Sequence, residues 1–79
     1  MHMVESVHIK RLREILEISQ TTLGNFVGVT QNTVARWEGG DRFPSRKHVQ
    51  KMYDLAEEND VNFDRIISSI NGRPKAKVG

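Results

Sequence analysis

The stretch from Gln20 to Gly40, QTTLGNFVGVTQNTVARWEGG, carries more structural information than any other in the chain. It divides at Gly28. Before the glycine, Leu23 and Val27 stand at i, i+4 and predict the inward stripe of a short helix from Gln20, with Phe26 joining them and Ser19 as its N-cap. Gly28 takes a positive φ at low cost and ends that helix, and Val29 follows as an apolar plug in the connection. Thr30 opens a second helix over Gln31 to Glu38. Its inward pair is Val34 and Trp37, and Gly39-Gly40 terminates it. Two helices this close need a small residue where their axes approach. Gly24 supplies one, and since glycine inside a helix costs ~1 kcal/mol against alanine, a packing reason is expected for it.

The rest of the chain reads as helix on either side. Ile9, Leu12 and Leu16 line one face of a helix over Val7 to Leu16, with Ile15 beside them. After the loop Asp41-Arg42-Phe43-Pro44, Ser45 caps a further helix striped by Val49, Met52 or Tyr53, and Leu55-Ala56. Asn62 caps a last helix, with Phe63, Ile66, Ile67 and Ile70 at i, i+3, i+4, i+7. No β-alternation competes. The expectation is an all-α, compact five-helix domain over residues 7–71, with an N-terminal extension over 1–6 and a basic, flexible tail over 72–79. Met1-His2-Met3 reads as a cloning remnant.

Composition narrows the function. The chain has 79 residues, enough for one small domain, and a net charge of +2. It contains no cysteine, which excludes disulfides, thiolate zinc sites and thiol nucleophiles and fits a reducing, cytoplasmic setting. His2, His8 and His48 lack metal-ligand spacing, no histidine–acid constellation or phosphate-cradling glycine loop is present, and no apolar run is long enough to span a membrane. An enzyme, a cofactor and a membrane partner are therefore not expected. The charge is unevenly spread. Arg36, Arg42, Arg46, Lys47 and Lys51 oppose only Glu38 and Asp41, whereas Asp54, Glu57, Glu58, Asp60 and Asp64 form a stretch without a base. The first segment suits a phosphate backbone; the second reads as a solvated face.

Two short helices joined by a glycine-containing turn form a helix-turn-helix pattern. The run Gln20–Gly40, followed by Pro44-Ser45, resembles the DNA-binding domain of the Cro and phage-repressor type, the XRE family, over residues 9–70. Gly24 departs from it, the family having alanine there. The resemblance implies a lambda-repressor-like fold and double-stranded DNA as partner. It further implies that Gln31, Asn32, Thr33 and Arg36 meet base edges in the major groove. Gln and Asn pair with adenine and Arg with guanine, while Thr33 meets a thymine methyl or a phosphate. By the same resemblance Gln20, Arg42, Ser45 and Arg46 meet phosphates, and Arg13 and Glu38 form a structural pair. The expected function is a sequence-specific DNA-binding transcriptional regulator, a repressor that binds an inverted repeat as a homodimer. Two other readings stay open. One is the antitoxin of a toxin–antitoxin pair, with residues 54–64 as the toxin surface. The other is a protein-interaction module that binds no DNA, in which Gln31, Asn32 and Arg36 are only a solvated face.

Overall fold

Polar side chains close the first turn of four of the helices. The computed structural model describes residues 4–70 and contains α1 (Ser6–Leu16), α2 (Gln20–Val27), α3 (Gln31–Glu38), α4 (Arg46–Glu58) and α5 (Phe63–Ser69). Ser19 accepts from the Thr22 N–H, Thr30 from Thr33, Ser45 from His48 and Asn62 from Arg65. Each cap satisfies a donor that the helix itself leaves orphaned, worth ~1 kcal/mol. Among the described residues there is no strand.

Two backbone hydrogen bonds to one carbonyl tighten the turn between α2 and α3. The Gly24 carbonyl accepts from both Gly28 N–H (2.8 Å) and Val29 N–H (2.9 Å). Gly28 sits at φ +88°, the left-handed conformation that ends α2. A Cβ added at Gly24 would lie 2.6 Å from the Val29 carbonyl oxygen and 3.3 Å from Thr30 backbone atoms. The absence of a side chain is thus what lets the start of α3 lie against the middle of α2.

Leu23 and Val27 of α2 and Val34 and Trp37 of α3 enter a core with Ile9, Leu12, Met52, Leu55, Phe63, Ile66 and Ile67. Met52 is fully buried, while Tyr53 packs at the core's edge. Phe26 is 52% exposed instead of joining the α2 stripe. Leu23, Gly24 and Val27 already occupy that face, and Phe26 lies a quarter-turn away from it.

The described residues ahead of α1 reach into this core. Val4 is buried, and α1 begins at Ser6 with Glu5 as its N-cap, one residue ahead of the Val7 start that the apolar spacing predicts. His8 is buried as well. Its Nδ1 accepts the Glu5 N–H at 2.9 Å, so the proton is on Nε2, which donates to the Ile70 carbonyl at 2.6 Å. This side chain clasps the start of α1 to the end of α5. The basic tail read over 72–79 lies outside the described residues.

Candidate nucleic-acid interface

The outer face of α3 is polar because its inner face is fully used by Val34 and Trp37. Gln31, Asn32 and Arg36 are exposed, and Thr33 is half-buried. The Thr33 hydroxyl lies 3.2 Å from that of Thr30, so it belongs to the cap of α3 as well as to its surface. Arg42, Ser45, Arg46, Lys47 and Lys51 are also exposed and follow α3 in the loop and along α4. Among the described residues the ion pairs are Arg11–Glu14 and Arg13–Glu38, so Arg36, Arg42 and Arg46 keep unpaired charges. The Ser45 hydroxyl serves the α4 cap and lies 3.0 Å from His48 Nδ1. The His48 ring in turn stands 5.5 Å from the Trp37 ring, tying the start of α4 to α3.

A chain of polar contacts runs from α1 to this face. Arg13 forks onto Glu38, with Nε–Oε2 2.8 Å and Nη2–Oε1 3.0 Å, and its Nη1 donates to the Ile18 carbonyl at 3.2 Å. Gln20 Nε2 donates to Glu38 Oε1 at 3.1 Å, and Gln31 Nε2 donates to Gln20 Oε1 at 2.6 Å. Burial pushes the Glu38 carboxyl up. The hydrogen bonds from Arg13 and Gln20, with the charges of Arg13 and Lys10, outweigh it and hold Glu38 below the ordinary carboxylate value. The hydrogen bond and charge of Glu38 in turn raise the Arg13 guanidinium against the opposing effect of its burial.

The family resemblance assigns Gln20 to a phosphate and does not foresee its partners within the protein. In the structure it is half-buried, with one N–H and its oxygen engaged inside the protein. The missing signal is tertiary, because both partners lie on α3. Gln31 keeps its oxygen and one N–H free, the acceptor–donor pair that an adenine edge presents a match for.

Among the described residues, no three histidine or acidic side chains stand close enough to hold a metal ion, and no helix is long and apolar enough to cross a membrane. The comparison with curated proteins found none that matches. Among solved structures, the chain is similar to the DNA-binding domain of the P22 C2 repressor, determined by nuclear magnetic resonance in solution. The identity is 22% and the TM-score 0.63, over 85% of this chain and 86% of that one. That likeness shows the fold: the chain shares the compact all-helical fold of that domain. A sequence profile described as helix-turn-helix matches residues 9–64. By that match, over most of its length, the chain belongs to the helix-turn-helix family of DNA-binding transcription regulators.

Proposed function

We propose that the protein is a sequence-specific repressor that binds an inverted repeat as a homodimer, acting on double-stranded DNA in the cytoplasm. The observation that carries this reading is the α3 surface. Gln31, Asn32 and Arg36 project polar groups from a helix whose other face is locked into the core, and Gln31 is held in orientation by Gln20. In the proposed mode α3 enters the major groove. Gln31 and Asn32 read adenine, Arg36 reads guanine, and Thr33 meets a thymine methyl or a phosphate. Gln20 uses its remaining N–H on a phosphate, and Arg42, Ser45 and Arg46 grip the backbone around the start of α4, where the helix dipole favours an anion.

A dimer follows from arithmetic. One helix reads only a few base pairs, too little for selectivity in a genome, and a two-fold pair doubles the reading with half-sites ~34 Å apart. Docking on the operator then blocks access to a promoter. Selection of bound sequences from a random DNA pool, repeated at several salt concentrations, tests the whole reading. The expected result is a two-fold symmetric site and a steep loss of affinity with salt. An asymmetric site overturns the dimer, and the absence of any enriched sequence overturns DNA recognition and leaves a protein-interaction module.

A further inference from the structure

Along α4 and the start of α5 lies an open groove of about 1340 Å³. Val49, Tyr53 and Val61 give it an apolar floor, and Asp54, Glu57, Asp60 and Asp64 border it. Among the described residues Arg46 is the single base that lines it, and Glu57 and Asp60 have no cationic partner. The segment that follows the described residues, 71–79, reads NGRPKAKVG. Arg73, Lys75 and Lys77 alternate there with Pro74, Ala76 and Val78, and no acidic side chain stands among them. Proline pushes the residue before it towards extended backbone, and in an extended chain successive side chains point to opposite sides. Drawn out in this way, 73–78 has one small apolar side and one side of three long cations.

We infer that residues 73–78 turn back along α5 and lie in this groove of the same molecule, with Pro74, Ala76 and Val78 on the apolar floor and Arg73, Lys75 and Lys77 reaching sideways to the acidic rim. The point of departure suits this path. The Ile70 carbonyl accepts from His8 Nε2, and His8 Nδ1 accepts from the Glu5 N–H. The segment therefore leaves the fold one imidazole away from Glu5, whose neighbour Val4 lines the groove. Asn71-Gly72 is a pair that favours chain reversal. The seven residues of α5 span ~10 Å, and six extended residues reach ~20 Å, enough to pass α5 and enter the groove. Long basic side chains can lay their stems over apolar surface while their charges meet the rim. A segment tethered this close acts at an effective concentration of roughly millimolar, so it prevails over the same segment of a second copy. The inference does not rest on DNA recognition, and it commits three cations to the protein's own surface.

The test uses the full chain without DNA. The protein contains no cysteine, so Gly79→Cys carries a nitroxide spin label at one place. In amide spectra of the labelled protein, Val49, Tyr53 and Val61 are expected to lose most of their intensity relative to the reduced label, while Asn32 and Arg36 on α3 keep theirs. Glu57→Gln/Asp60→Asn is expected to recover much of that intensity. Both side chains are exposed, and asparagine tolerates the left-handed backbone of Asp60, φ +59°. Arg73→Ser/Lys75→Ser/Lys77→Ser gives the same recovery from the other side of the contact. Undiminished intensity at Val49, Tyr53 and Val61, or losses centred on α3, overturns the placement. Losses that survive both sets of charge removals overturn the acidic rim as the recognising feature. A mixture of isotope-labelled wild type with unlabelled, spin-labelled Gly79→Cys is expected to show no loss; losses there equal to those within one molecule place the segment on a second copy and overturn the intramolecular path.

Discussion

Glu38 holds two neighbours at once: Arg13 bidentately, and Gln20 through the same oxygen that Arg13 Nη2 contacts. Its side chain is 7% exposed and that of Arg13 19%. Either Arg13→Ala or Glu38→Ala leaves a largely buried charge without its partner. Each is expected to cost about 2–3 kcal/mol, the low end for such pairs because Arg13 retains some water. In chemical denaturation the double variant should lose less than the sum of the singles, and additivity within ~0.5 kcal/mol would mean the two do not interact. The lowered Glu38 pKa fixes the sign with pH. The contribution is fully present above the unfolded carboxylate value and is lost as pH falls through the lower folded one. Midpoints measured from pH 6 down to 2 should therefore fall less steeply for Glu38→Gln. At Gly24 two effects oppose. Alanine gains ~1 kcal/mol in helix propensity, but its Cβ at 2.6 Å from a backbone carbonyl forces α2 and α3 apart. Overpacking of that kind costs ~1–3 kcal/mol, so Gly24→Ala is expected to lower stability by about 1 kcal/mol net. An increase in melting temperature would show that the turn can relax freely.

The elements separate what the sequence makes legible from what it hides. α2, its turn and α3 are readable because their punctuation is local: Ser19, Gly28 and Thr30 act within a few residues of themselves. The roles of Val4, His8 and Gln20 are not, because each depends on a partner far along the chain or on the space left by another helix. Phe26 misleads because an apolar side chain beside a stripe looks like part of it until the neighbouring helix is in place. A division of labour between α3 and the start of α4 gives the next expectation. Arg36→Ala should weaken the best site by ~1–3 kcal/mol and flatten preference at one or two base pairs. Arg46→Ala should weaken all sequences alike and reduce the salt slope by ~1. Affinities for the selected site, its single-base variants and random DNA, taken across salt, check both. A base preference that changes with Arg46 and not with Arg36 would reverse the two surfaces.

At the scale of the whole fold, the start of α1 and the end of α5 are tied by one imidazole. His8 bridges the Glu5 N–H and the Ile70 carbonyl, so α1 and α5 close against each other through a side chain that is 3% exposed. His8→Leu keeps the bulk but orphans both backbone groups, and a loss of about 2 kcal/mol is expected. Amide exchange should quicken at the first turn of α1 and the last turn of α5 before it does in α2 or α3; uniform acceleration would argue against a clasp. The polar chain from Arg13 through Glu38 and Gln20 to Gln31 bears on how such a protein can change its operator. Asn32 and Arg36 make no hydrogen bond through their side chains among the described residues, so if they read bases as proposed, they are free to be exchanged for other letters of the recognition code. Gln31 is not, since its amide is welded to the scaffold by a 2.6 Å bond. A library that randomises all three positions should therefore yield new specificities that keep glutamine at 31 and vary at 32 and 36. The protein's evolvable alphabet is narrower than its exposed surface.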